Sequence, residues 1–248
     1  MTTVRAAAHV HSEWSYDASW SLAALAQAFA RRRYDVVLTA EHDRGFDEER
    51  WHAYREACAA ASDDRVLLVP GMEYEDADNV VHVAVWGDDA PYLGHGRATL
   101  ETLEDARNAG CATVLAHPRR RDAFTRFRPE WAPLLSAVEI WNRHYDGVAP
   151  SREGLRLSQE HGLAPFVSLD FHTRRQFFPL AMELELDGAL SPAAVYEALA
   201  AGRFRPAALR VSAMRFTHGP PAAAAHGLER ARRAVRGPLR KLERAVRR

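Results

Sequence analysis

The sequence predicts an α/β domain on a parallel sheet, most economically a barrel-like (β/α) arrangement. Three observations point there. Short runs rich in Val, Leu and Ile alternate with capped helical segments about seven times, the pattern that joins parallel strands through helical crossovers. A chain of 248 residues, 47% hydrophobic, can bury one sizeable core, although two small domains would also fit. Histidines and carboxylates recur at the downstream ends of the apolar runs, and in such barrels those ends form the active face.

The first run carries Ala8-His9-Val10-His11. Alternate side chains of a strand share a face, so His9 and His11 should project together, with Val10 opposite. Two imidazoles held in that way make half of a metal site. In isolation the pair reads more readily as surface or structural histidines, and only the downstream recurrence shifts that balance. Leu22, Leu25, Ala26 and Phe29 then fall at helical spacing behind Ser19 or Ser21 as cap. Arg31-Arg32-Arg33 suits the negative end of that helix. Val36-Val37-Leu38-Thr39 is a strand delivering Glu41-His42-Asp43, and Asp47 to Ala61 is a polar helix.

Val66-Leu67-Leu68-Val69 ends in Pro70-Gly71-Met72-Glu73, and Val80 to Trp86 is the next strand. Residues 87–96 read as loop, and Thr99 can cap a helix that stops at Gly110. Thr113-Val114-Leu115-Ala116 runs into His117-Pro118, and the segment from Arg119 to Arg128 is charged and irregular. Val138-Glu139-Ile140-Trp141 is a strand, and Ser151 opens a helix closed by Gly162. Phe166-Val167-Ser168-Leu169 leads to Asp170-Phe171-His172, and Leu180 to Leu186 is a further strand. Ser191-Pro192 starts a helix ending before Gly202, with Pro at its first position. Low-complexity sequence and internal repeats are absent before residue 219.

Formal charge is zero overall but unevenly spread. From His226 to Arg248 nine Arg or Lys face Glu229 and Glu243, a local charge of +7, which leaves −7 on residues 1–225. An acidic body suits metal-binding carboxylates, and a cationic tail an anionic partner. The start lacks the apolar core of a secretory signal, and no stretch is long enough to span a bilayer. Cys58 and Cys111 give no disulfide framework, so the cytoplasm is the expected compartment.

His9-Val10-His11, Glu41-His42-Asp43, Gly71-Met72-Glu73, Ala116-His117-Pro118 and Asp170-Phe171-His172, in that order, resemble the motifs of the PHP (polymerase and histidinol phosphatase) domain. The resemblance covers about residues 5–212. It implies a distorted (β/α)7 barrel over residues 1–218, holding two or three divalent ions, often zinc, manganese or iron. One ion would take His9, His11, Glu73 and Asp170; a second would share Glu73 and add His82 and His117. A third would use Asp17, His42 and His172. Glu73, Asp170 and His172 are thereby the candidate catalytic residues. Imidazole mixed with carboxylate independently suits borderline transition metals, and a carboxylate can bridge two ions where imidazole cannot. Such paired ions activate a shared water and clamp the phosphoryl oxygens, so the expected reaction is in-line attack of a metal-bound hydroxide on phosphorus.

The chain departs from the family pattern at three points. Glu41 stands where Asp is common, Asp17 where some members have His, and Ala18 replaces a frequent Gly. His82 also reads as an ordinary strand histidine. Arg119 and Arg174, just after two of the motifs, could each hold a phosphate bidentately or could be solvated loop charges. Glu139 reads either as a carboxylate near the metals or as a core group paired with an arginine. His144 reads as a general acid or, more simply, a surface histidine. No role falls to His52, His95, His161, His218 or His226, nor to the two cysteines.

Residues 219–248 form a basic helical tail. Leu228, Ala231, Val235, Leu239, Leu242 and Val246 recur at helical spacing, and Gly237-Pro238 should kink or split the helix. The apolar stripe either packs on the domain or meets anionic lipid or nucleic acid. The expected function is a phosphatase acting on a small phosphorylated metabolite or nucleotide. The alternatives are a phosphodiesterase or exonuclease on short nucleic acids, since the family includes proofreading exonucleases, and a non-catalytic metal-stabilised binding module. The acidic body, with no basic groove interleaved with aromatics before the tail, weighs against nucleic acid.

Overall fold

The structure is a computed structural model that describes residues 1–246, with side chains described to Val235. Strand β1 (Thr2–Val10) leads to helix α1 (Leu22–Ala30), whose first turn is closed by Ser21 accepting from the Ala24 amide. Strands β2 (Val36–Thr39) and β3 (Glu41–His42) flank Ala40, and α2 (Glu48–Ala61) starts at the cap Asp47. Next come β4 (Leu67–Val69), β5 (Met72–Glu75), β6 (His82–Trp86), α3 (Thr99–Asn108) and β7 (Ala112–Leu115). After two 3-10 segments, Arg120–Arg126 and Pro129–Leu134, follow β8 (Ala137–Asn142), α4 (Arg152–His161) and β9 (Ala164–Ser168). The chain ends with β10 (Leu180–Leu186), α5 (Pro192–Ala200), β11 (Phe204–Ala208), β12 (Val211–Ser212) and α6 (Gly219–Val246).

The strands form two six-stranded sheets, ordered β12-β11-β10-β1-β2-β4 and β3-β5-β6-β7-β8-β9. The architecture is α/β as expected, but the sheets are mixed. Parallel pairs β1–β2, β2–β4, β3–β5, β7–β8 and β8–β9 are matched by antiparallel ones wherever β6 and β10 take part. For β6 the cause is the short link from β5, too brief for a crossover helix, which forces a reversal.

Backbone hydrogen bonds stitch the sheets together. On one side β2 passes into β3 through Ala40, and β4 into β5 through Pro70-Gly71. Gly71 is required there, since a Cβ would lie 2.2 Å from the Trp86 indole nitrogen and 2.7 Å from the Thr39 carbonyl. On the other side the amides of Leu169, Phe171 and His11 donate to Ala8, His9 and Phe171. One hydrophobic core joins strands and helices, with Phe29, Tyr54, Trp86, Trp141, Phe166 and Phe171 fully buried.

Two local expectations change. Thr99 is the first helical residue, not the cap; Ala98 holds that position, and Arg97, bonded to the Leu93 carbonyl and Asp105, anchors the entry. In α6, one helix spans Gly237-Pro238 without a split. Its apolar stripe does not pack on the domain where it is described: Leu228 and Val235 are each 61% exposed, while Ala222, Ala225 and Glu229 face inward. Leu239, Leu242 and Val246 lie outside the described side chains.

Candidate metal centre

The site lies where the strands end and the sheets are stitched. His9 sits on a bulge in β1, where the pairing to β2 slips between Ala8 and Val10, and its φ is 59°. His11 lies just beyond β1, held by its amide on the Phe171 carbonyl at 2.9 Å. The two rings do come together, with centroids 5.1 Å apart, but through the bulge rather than regular strand alternation. His117 and Asp170, each two residues beyond a strand, also have left-handed backbones, with φ of 26° and 47°. Non-glycine residues rarely adopt that region, and such strain concentrates at functional sites.

Glu73 on β5 is the hub. Its Oε1 lies 2.8 Å from His117 Nε2, 2.9 Å from His82 Nδ1 and 3.3 Å from His9 Nε2. Its Oε2 lies 3.1 Å from His42 Nδ1 and 3.5 Å from His11 Nε2. Asp170 meets His11, His172 and His117 at 3.6, 3.3 and 4.0 Å. Asp17 completes the set, 3.5 Å from His42 Nε2 and 3.2 Å from His172 Nε2. All nine residues singled out as ligands therefore converge, His82 included, and Asp17 alone among them is substantially exposed.

Carboxylates behind the cluster hold the rings. Glu139 Oε1 accepts from His9 Nδ1 at 2.8 Å, and its Oε2 accepts from the His117 amide and Asn142 Nδ2, each at 2.7 Å. Glu139 therefore lies against the candidate ligands His9 and His117, and its partners include no arginine among the described residues. Glu41 accepts the Ser12 and Ser15 hydroxyls at 2.6 and 2.5 Å; Ser15 Oγ in turn lies 3.1 Å from His11 Nδ1 and from the His42 amide. Glu41 thus orients two imidazoles at one remove, as carboxylates behind metal-bound histidines do.

The electrostatics follow from this packing. Burial alone would push the Glu73 and Asp170 carboxyls up, but the surrounding imidazoles, His9 foremost, hold both well below the usual carboxylate range. Burial opposes charge on His42, yet Glu73, Asp17 and Glu75 outweigh it and push its pKa up to about 11. His11, buried among His172, His42 and His9, is driven well below its ordinary value.

The donor set fits divalent cations. His9 Nε2, His11 Nε2, His42 Nδ1, His117 Nδ1 and Glu73 Oε2 are buried without a hydrogen-bond partner. Buried polar atoms are almost always paired, so five orphans in one cluster of imidazole and carboxylate mark a cation site. Donor atoms within 4.8 Å of one another group as His9-His11-Asp170, His9-Glu73-His117 and His11-His42-His172. Two further groups, His42-Glu75-His82 and His144-Asp170-His172, bring in residues that sequence reasoning did not count as ligands.

From sequence alone the run ends at Glu73, which gives Glu75 no role. Once β5 is a strand, Glu73 and Glu75 share a face by simple alternation. His144, 40% exposed along its side chain, faces the site, with Nδ1 3.6 Å from Asp170 Oδ1 and its ring stacked on Tyr145. Neither predicted arginine reaches the cluster. Arg119 turns toward α6, lining a pocket with Arg152, His226 and Arg230. Its neighbour Arg120 takes the inward place, bonded to the Tyr145 hydroxyl and the Asn79 carbonyl at 3.1 and 2.8 Å. Arg174 gives way to Arg175, which lines a cavity of about 560 Å³ with Asp17, Arg143, His144, His172 and Arg232.

No protein-family profile matches the sequence, and no curated protein matches it significantly. Solved structures do match. A two-domain protein from Bacteroides vulgatus containing a predicted PHP-like metal-dependent phosphoesterase is 18% identical with a TM-score of 0.64, over 84% of this chain and 65% of that one. PsfC from Pseudomonas syringae is 14% identical, TM-score 0.62, over 93% of this chain and 99% of its own. The lesion-specific endonuclease EndoQ from Pyrococcus furiosus is 14% identical, TM-score 0.57, over 81% of this chain and 56% of its own. The fold is therefore PHP-like, as the motifs implied. This chain spans less than two thirds of the length of the Bacteroides and Pyrococcus proteins.

Proposed function

We propose that the chain is a metal-dependent phosphoesterase that hydrolyses a phosphate monoester of a small metabolite or nucleotide. The observation that carries this reading is the set of five buried ligand atoms without a hydrogen-bond partner, four on imidazoles and one on Glu73 itself. His9, His11, Glu73 and Asp170 would hold one ion, Glu73, His82 and His117 a second, and Asp17, His42 and His172 a third, with zinc, manganese or iron suited to the donors. Divalent ions held there would supply a more acidic water and positive charge for the phosphoryl oxygens.

The chain's own groups do the rest. Glu139 and Glu41 fix the faces that His9 and His11 present. His144 Nδ1 stands at the cavity edge, placed to donate a proton to the leaving oxygen. Arg120, tied to Tyr145 and Asn79, sets positive charge beside the cluster for a phosphate. The adjoining cavity has the size of a small-molecule pocket, roughly 300–1,000 Å³, which favours a metabolite over a polymer. We read the two stitched sheets as the distorted (β/α)7 barrel of residues 1–218 with α6 laid across it. Two free cysteines suit a reducing cytoplasm, and among the described residues no helix is long and apolar enough to cross a membrane.

The fold shared with an endonuclease makes diester cleavage the competing reading. Turnover of p-nitrophenyl phosphate, its bis-ester and a labelled oligonucleotide, with metal analysis of protein purified without chelator, separates them. Monoester hydrolysis by metal-loaded protein is the expected result. Preferred cleavage of the oligonucleotide transfers the assignment to a nuclease, and bound metal without any hydrolysis transfers it to a binding module.

A further inference from the structure

We propose that Arg232 on α6 is a specificity-determining residue, which recognises a second negatively charged group on the substrate, away from the phosphate at the metals. The inference rests on the phosphoesterase reading for the identity of that phosphate. Arg232 lines the same cavity as Asp17, His144 and His172, so the C-terminal helix forms one wall of the space beside the metal centre. Its placement is fixed by Glu229, 5% exposed, which accepts from Arg232 Nε and Nη2 at 2.7 Å each and from the Val148 amide at 3.1 Å. Nη1 of Arg232 has no partner among the described residues.

The loop beneath is shaped to admit this contact. Gly147, at φ 80°, lets the backbone approach the pair closely: a Cβ there would be strained and, 2.2 Å from Glu229 Oε2 and 2.6 Å from Arg232 Nη2, would push both side chains aside. That loop also carries His144 and Tyr145, which face Asp170 and His117. The guanidinium is therefore a pre-positioned, already oriented cation on the cavity wall, the arrangement suited to carboxylate or phosphate recognition. Arg143 and Arg175 line the same cavity, which adds positive charge beside the carboxylates of the candidate metal cluster. The substrate class is a phosphate ester bearing a further carboxylate or phosphate.

The test is calorimetric binding of 4-phosphonobutyrate and 6-phosphonohexanoate against butylphosphonate and hexylphosphonate, with p-nitrophenyl phosphate turnover measured in parallel. Wild-type protein should bind at least one carboxylated ligand about fivefold or more tightly than its alkyl counterpart. R232A should abolish that preference with kcat on p-nitrophenyl phosphate unchanged, and R232K should restore part of it. R233A, which loses another arginine from the same Glu229, should keep it. Equal wild-type affinities, a preference that survives R232A, or its equal loss in R233A overturns the proposal. If the wild type hydrolyses no phosphate ester yet prefers the carboxylated ligand, the catalytic reading fails and the recognition stands.

Discussion

Replacing Glu139 tests the centre without touching any proposed ligand. Glu139 is fully buried and anchors three groups: the His9 ring, the His117 amide and the Asn142 side chain. Burial alone would raise its pKa, but His9 and His117 hold it below the ordinary value, so it acts as a carboxylate. Glu139→Ala strands three buried donors, each costing about 1–3 kcal/mol, a loss of about 3–6 kcal/mol allowing for partial rehydration. Glu139→Gln keeps the shape and one acceptor oxygen, but its amide nitrogen must face either His9 Nδ1 or the His117 and Asn142 donors that share Oε2. It should unfold the protein less, yet weaken metal affinity or activity about 10–100-fold, the effect of losing an orienting carboxylate behind a metal-bound imidazole. Thermal melts with and without chelator, together with competition against a metallochromic chelator, measure the two effects separately. Wild-type affinity and activity in Glu139→Gln would refute the claim that this carboxylate sets the His9 ring.

Glu73→Ala and Asp170→Ala should each abolish turnover and reduce bound metal, read by elemental analysis of protein that still melts cooperatively; full activity in either ends the ligand assignment. Glu229 offers a pH prediction. Burial alone would raise its pKa, but Arg232 and Arg233 lower it to about 2. A carboxyl depressed on folding stabilises above its ordinary pKa, and that stability fades as pH falls from about 4.5 toward 2. With its arginine partners partly exposed, the contribution at pH 7 should be about 1–2 kcal/mol. Glu229→Gln should therefore lower the urea midpoint at neutral pH, and its difference from wild type should shrink by about pH 3.

Much of this was legible in the sequence, because the signals were local. Ser21, Asp47, Ser151 and Ser191 cap helices where the sequence places them, since each side chain accepts a first-turn amide regardless of tertiary context. The His and carboxylate motifs lie together because each sits at or close to a strand terminus where the two sheets meet, and that space is shared. What escaped depended on partners distant in sequence. Strand β5 carries Glu75, an acid that looks solvent-bound until His42 from another strand compensates it. Strand β11 contains Pro206, which argues against a strand in isolation. Arg119 and Arg120 exchange roles because the direction of a loop, here one that turns left-handed at Arg121 and Asp122, is set by what it packs against. For α6, the hydrophobic periodicity is real, but where its side chains are described Leu228 and Val235 face outward; the helix is docked by Glu229, a residue that periodicity ignores.

The left-handed backbones of His9, His117 and Asp170 have a further consequence for how this protein can change. Each position holds a side chain in a conformation that glycine would adopt without penalty, at about 1 kcal/mol or more apiece. Substituting glycine would release that strain but strand the buried groups these side chains compensate, Glu73 and Glu139 above all, at about 1–3 kcal/mol or more each. The strained backbone therefore persists because the charges packed around it outweigh it, which ties the stability of the scaffold to the same three side chains that carry its chemistry.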